Sequence, residues 1–138
     1  MPYPPEIVQP ARDELTRAGF TPLLTAGEVE AELARDGTLL VVVNSVCGCA
    51  AGSARPGAVK AVTGQGPKPQ RLAAVFAGED MEAVNRVRQQ LEGFPPSSPS
   101  IALFVDGDPV FLMERRHIEG LPPEAVATAL ADAFATHC

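Results

Sequence analysis

"TLLVVVNSVCGCAAGSARPGA", residues 38–58, runs from one of the most strand-like segments of the chain into a small-residue helical segment, and two of the three cysteines stand one glycine apart at the junction. The nearly unbroken apolar run 38–43 is the pattern of a strand covered on both faces. The cysteines therefore fall in a strand-to-helix turn, and in open α/β sheets sites form beyond the carboxyl ends of strands.

Working outward, "RLAAVFA" (71–77) and "IALFV" (101–105) are two further short apolar runs, and helical periods separate the three. Thr25 and Glu28 form a T-x-x-E capping box ahead of Val29 and Leu33. Val84, Val87 and Leu91 keep i, i+3, i+7 spacing in the helix expected over 79–91, and Val126, Leu130 and Phe134 mark a C-terminal helix. An earlier helix is expected over 11–18, ended by Gly19, with "FTPLL" (20–24) as a weak edge strand. Asp106-Gly107 joins 101–105 to a further strand as a hairpin. Residues 64–70 and 93–100 are loops. The order predicts an α/β sandwich in which helices cover a mixed central sheet with an antiparallel edge pair.

Composition limits what such a domain does. At 138 residues and 46% apolar content, one compact domain spanning 1–138 is expected, able to bury roughly two thirds of its unfolded surface without covalent staples. Seventeen acidic against eleven basic residues give a charge of -6, and no stretch gathers Lys and Arg into a phosphate-binding face, so nucleic acid is not an expected partner. "MPYPPEIVQP" lacks a basic region followed by an apolar core, and no run approaches the roughly 20 apolar residues that span a bilayer. The expectation is a cytoplasmic protein with no membrane partner. In that compartment thiols stay reduced, so two close cysteines point to redox chemistry or metal binding.

A cysteine at a helix start faces unpaired N–H groups and the positive end of the helix dipole, which favour thiolate. Cys47, nearest the turn, is the better attacking group, and Cys49 is placed to attack a mixed disulfide on Cys47. Gly48 is expected to spare the pair a crowding side chain and to let an incoming sulfur approach. A disulfide across so short a separation would depart from relaxed geometry and be readily reduced. Two inert buried thiols are the plainer alternative. Zinc is disfavoured because only His117, His137 and Cys138 remain to complete four ligands, and no metal is expected. Both histidines read as capping or surface residues.

Pro56 is expected to kink the helix that follows the cysteines, fitting it over a twisted sheet. Arg55 could lower the pKa of Cys47, although a solvated arginine is the commoner case. Asn44 and Ser45 border the turn and could hydrogen-bond its amides or a ligand, with the structural role favoured. Pro99 cannot donate to a ladder and belongs at the entrance of the strand 101–105. Ser98 and Pro99 would present backbone groups to an incoming chain. The isomer of their peptide bond is left open by the residues alone.

These features together resemble the thioredoxin fold, a three-layer sandwich in which the proline before the later strand is cis and lies against the active-site cysteine. "VVVNSVCGCAAGSARPGA" (41–58), "VFAGED" (75–80), "SSPSIAL" (97–103), "HIEG" (117–120) and the terminal "HC" further resemble the bacilliredoxin family, over nearly the whole chain in order. The resemblance implies a thiol-disulfide oxidoreductase that removes bacillithiol from S-bacillithiolated proteins, with Cys47 accepting bacillithiol and Cys49 resolving. It implies bacillithiol as a thiol co-substrate and no bound cofactor. Departures lie in loops, chiefly 64–70. Cys138 could be a redox modulator or an idle terminal thiol. A general protein dithiol oxidoreductase or isomerase, and a redox sensor or interaction module without turnover, are the alternatives. The oligomeric state is left open.

Overall fold

A computed structural model describes residues 3–138. Its elements are α1 (Pro5–Thr16), β1 (Thr21–Pro22), α2 (Ala26–Leu33), β2 (Thr38–Asn44), α3 (Arg55–Thr63), β3 (Arg71–Phe76), α4 (Met81–Gln90), β4 (Ser100–Val105), β5 (Asp108–Met113), α5 (Arg115–Ile118) and α6 (Pro123–His137). A wider, π-helical turn, Ala50–Ala54, leads into α3.

The five strands lie in the order β1-β3-β2-β4-β5. β1, β3 and β2 run parallel, while β4 is antiparallel to both β2 and β5. All seven residues of central β2 are buried, as its apolar sequence requires. Side chains alternate across a strand, so Leu40 and Val42 pack with α3 and α6 on one face, and Leu39, Val41 and Val43 pack with α2 and α4 on the other. The expected mixed sheet between helical layers is thus the observed architecture.

Local signals explain most boundaries. The Thr25 hydroxyl accepts from the Glu28 amide at 3.1 Å, and the Glu28 carboxylate accepts from the Thr25 amide at 3.1 Å. Asp106 and Gly107 take φ of +52° and +83°, the left-handed pair that a two-residue hairpin needs. The first helix begins at Pro5, six residues before the expected start, because proline at the first helical positions loses no hydrogen bond. Gly19 ends this region with φ +100°.

Two expectations need correction. The bend after the cysteines is carried by the wide turn 50–54, and Pro56 follows it near the start of α3 rather than lying deep inside a regular helix. An inserted residue in a helical turn re-aims the axis as effectively as a proline does. The short helix α5 has no counterpart in the expected order, since four residues are too few to display a period.

α3 crosses α6 where Gly57 meets Val126. A Cβ on Gly57 would stand 2.5 Å from the Val126 Cβ and 3.2 Å from the Pro123 carbonyl oxygen, whereas one on Gly52 would meet nothing within 4 Å. Gly57→Ala is therefore expected to lower stability by about 2 kcal/mol through overpacking, despite a better helix propensity. Gly52→Ala should stay within about 0.5 kcal/mol of the parent. Urea denaturation midpoints of the two variants check the contrast.

Candidate functional site

The site begins where β2 stops. Asn44 is 2% exposed, and each of its polar groups is engaged. Its Nδ2 donates to the Ala11 carbonyl on α1 at 3.1 Å, and its Oδ1 accepts from the Ser45 amide at 2.9 Å and from Arg55 Nη1 at 2.9 Å. Asn44 therefore holds the turn and is turned away from any ligand. This corrects its placement among substrate-contacting residues.

Arg55 overturns the solvated reading. It is buried, with Nη1 donating to the Ser45 carbonyl at 2.7 Å and Nε to Glu14 Oε1 at 2.8 Å. A buried guanidinium needs a carboxylate and further acceptors to offset its desolvation, and Glu14, Asn44 and Ser45 supply them. Its charge is committed there, and it acts on Cys47 by fixing the backbone ahead of it.

Ser45, also buried, turns its hydroxyl to Cys47: Oγ donates to Sγ at 3.2 Å and accepts from the Cys47 amide at 3.3 Å. Burial pushes the Cys47 thiol up. The Ser45 hydroxyl, the N–H groups of Ala50 and Cys49 and the Cys49 thiol outweigh it, and hold Cys47 below the ordinary cysteine range. The expectation that helix-start amides favour thiolate is met, with a serine as the stronger donor. Cys49 moves the other way. Burial, the negative charge of Cys47 and the hydrogen bond Cys49 makes to it all raise Cys49, while the Arg115 charge lowers it and Glu119 raises it. The two thiols are thus poised in opposite senses, Cys47 to ionise first and Cys49 to keep its proton.

Gly48 is exposed, and a Cβ there would meet nothing within 4 Å. Beyond its two cysteine neighbours the space at Gly48 is open.

The β2–β4 ladder runs to Val43 opposite Ser100, so the next residues, Asn44 and Pro99, stand across from one another beside the cysteine turn. The Ser98–Pro99 peptide is cis. Pro99 is buried and Ser98 half-buried, and the Ser98 carbonyl accepts from Arg115 Nη1 at 3.4 Å. Arg115 and the short helix that carries it escaped the sequence reading. The only signal was "ERRHIEG" (114–120) just after an edge strand, a charge run that ordinarily denotes a solvated face.

Cys138 lies at the opposite end. It is exposed as a residue, yet partial burial of its thiol pushes it up, offset only in part by a hydrogen bond with Thr38, the first residue of β2, whereas Cys47 follows the last. Seven strand residues separate the two ends by roughly 20 Å, so Cys138 cannot exchange directly with the pair within one chain. His117 caps α5, its Nδ1 accepting from the Glu114 amide at 3.0 Å. Among the described residues no three of His, Cys, Asp and Glu are grouped to hold a metal ion, and no helix is long and apolar enough to cross a membrane.

A family model described as disulphide isomerase matches residues 3–138. A bacilliredoxin from Salinibacter ruber is 51% identical over 140 residues, covering 100% of this chain and 82% of its own length. One from Cytophaga hutchinsonii is 50% identical over 128 residues, covering 93% of this chain and 94% of its own. The chain belongs to the bacilliredoxin family. Among solved structures, mitochondrial thioredoxin 3 from Saccharomyces cerevisiae aligns with a TM-score of 0.57 at 14% identity, over 89% of this chain and 98% of the other. Thioredoxin O2 from Arabidopsis thaliana aligns at 0.55 and 14%, over 86% and 96%. These likenesses establish the thioredoxin fold. Fold and family together make this bacilliredoxin-family chain a thiol-disulfide oxidoreductase, with its two turn thiols at the usual position of an α/β site.

Removing the Ser45 hydroxyl deletes the strongest of the influences that lower Cys47. Ser45→Ala is expected to move the inflection of the iodoacetamide alkylation rate against pH upward. Alkylation at neutral pH should slow, because a smaller fraction of Cys47 is then thiolate. The profile is best recorded in a Cys49→Ala, Cys138→Ala background, where only Cys47 reports.

Proposed function

We propose that this protein removes bacillithiol from S-bacillithiolated proteins in the cytoplasm, within a single thioredoxin-like domain spanning 1–138, using no bound cofactor and bacillithiol itself as thiol co-substrate. The observation that carries the reading is the opposite poise of the two thiols, in a chain about half identical to bacilliredoxins over nearly its full length.

Cys47 thiolate attacks the bacillithiol sulfur of the protein mixed disulfide. The new bond is Cys47–S–S–bacillithiol, the old sulfur–sulfur bond breaks, and the client thiolate leaves and takes a proton from water. Two exits follow. A second bacillithiol thiolate can attack the bacillithiol sulfur, releasing bacillithiol disulfide and restoring Cys47. Alternatively Cys49 loses its proton to water and attacks Cys47 Sγ, expelling reduced bacillithiol and leaving a Cys47–Cys49 disulfide, which a low-molecular-weight thiol or an external dithiol then reduces. Gly48 leaves the outer side of the pair open, and the Ser98–Pro99 backbone aligns the client segment as a short added strand. Ser45 stabilises the thiolate in the attacking and leaving states alike.

A dithiol oxidoreductase acting on protein disulfides would use the same atoms. The two are separated by intact mass of the Cys49→Ala protein after exposure to bacillithiol disulfide, with oxidised glutathione in parallel and Cys47→Ala as blank. A single bacillithiol adduct that requires Cys47 and forms at least tenfold faster than the glutathione adduct is expected. Equal slow labelling by both, or labelling without Cys47, would shift the assignment to protein-disulfide exchange.

A further inference from the structure

Adjoining the Ser98–Pro99 peptide, α5 and the loop before β4 border an open hollow of about 550 Å³, lined by Pro95, Ser97, Glu114, Arg115, Arg116 and Glu119. Its size falls within the roughly 300–1,000 Å³ of small-molecule sites. Arg115 is common to the hollow and to the thiols: it lines the first, its charge bears on Cys49, and its guanidinium reaches the Ser98 carbonyl.

Most arginines of this acidic chain that form ion pairs are tightly held. Arg12 reaches Asp80 at 2.7 Å, Arg55 reaches Glu14 at 2.8 Å and Arg71 reaches Glu32 at 2.6 Å. Arg116, in the same hollow, hydrogen-bonds Glu114 at 3.1 Å. Arg115 differs. Its nearest carboxylate, Glu119, stands at 3.8 Å, beyond a hydrogen bond, and its side chain is 44% exposed. A planar donor fork held only by a carbonyl at 3.4 Å and without a close carboxylate, facing a hollow and carrying a charge that bears on Cys49, fits a carboxylate.

We propose that Arg115 receives a carboxylate of the small thiol that becomes joined to Cys47, the hollow taking the part of that molecule remote from its sulfur. The chemical class is a carboxylate-bearing low-molecular-weight thiol. The inference rests on the reading of Cys47 as the acceptor of such a thiol and adds the residue that selects it. Glu119 competes for the same guanidinium and yields when the ligand binds.

The test measures adduct formation on Cys47 in the Cys49→Ala background, which removes any effect of Arg115 on Cys49. Three disulfides are compared: bacillithiol disulfide and oxidised glutathione, both carrying carboxylates, and hydroxyethyl disulfide, which is uncharged. The readout is the ratio of the bacillithiol rate to the hydroxyethyl rate, so general damage to the loop cancels. Arg115→Gln should lower that ratio about tenfold, as loss of a charged hydrogen bond does. Arg115→Lys should recover part of it, and Glu119→Gln should raise it. A ratio unchanged by Arg115→Gln overturns the proposal, even where bacillithiol remains the preferred small thiol. Conversely, glutathione reacting as fast as bacillithiol, with both ratios lost in Arg115→Gln, sinks the bacillithiol assignment and leaves the carboxylate subsite standing.

Discussion

The guanidinium of Arg55 is the fixed point of the site. From the start of α3 it grips Glu14 on α1, Asn44 at the end of β2 and the Ser45 carbonyl in the turn. Those bonds tie α1 and α3 to Asn44 and Ser45, which lead through Val46 to Cys47. Losing any partner would leave buried charge or a buried acceptor unmatched, at a cost of about 1–3 kcal/mol for the polar group alone. A thiolate gains most from donors already in place when charge develops, and this network fixes the Ser45 hydroxyl before any substrate arrives. α1 is held from a second side as well. Arg12 pairs through both nitrogens with Asp80 and stacks on Phe76, and Asp80 also accepts the Phe76 amide. The carboxyl ends of β2 and β3 are therefore braced by one helix.

Much of this was legible in the sequence because it follows from period and from turn chemistry. A six-residue, nearly unbroken apolar run buried on both faces, a T-x-x-E box and an Asp-Gly hairpin are local signals that tertiary context had no reason to override. The location of the site was equally legible, since a cysteine pair after a buried strand can lie only at the strand's carboxyl end. What escaped was whatever depends on contacts between distant residues. Arg55 reads as a surface residue in sequence, because nothing in "SARPG" announces Glu14, 41 positions earlier, as its partner. Asn44 was assigned rightly to the turn but could not be excluded from the ligand until its three hydrogen bonds were seen. Arg115 was hidden by the four-residue length of its helix.

The opposite poise of the two thiols has a kinetic meaning on the proposed cycle. After burial, the negative charge on Cys47 and the hydrogen bond it accepts are the main influences that keep Cys49 protonated. Both depend on Cys47 being a thiolate. Once Cys47 carries a small thiol as a neutral disulfide, both are relieved, and Cys49 ionises more readily at the moment when its attack is productive. A carboxylate seated on Arg115 acts against this by neutralising the cation that favours the Cys49 thiolate. That opposing influence is the smaller, since the Arg115 charge ranks below both contributions of Cys47. On the proposed cycle, capping of Cys47 therefore shifts Cys49 toward thiolate even with the subsite filled. Resolution on the proposed cycle is in this way coupled to occupancy of the first cysteine, and a free dithiol has little tendency to expose two thiolates at once.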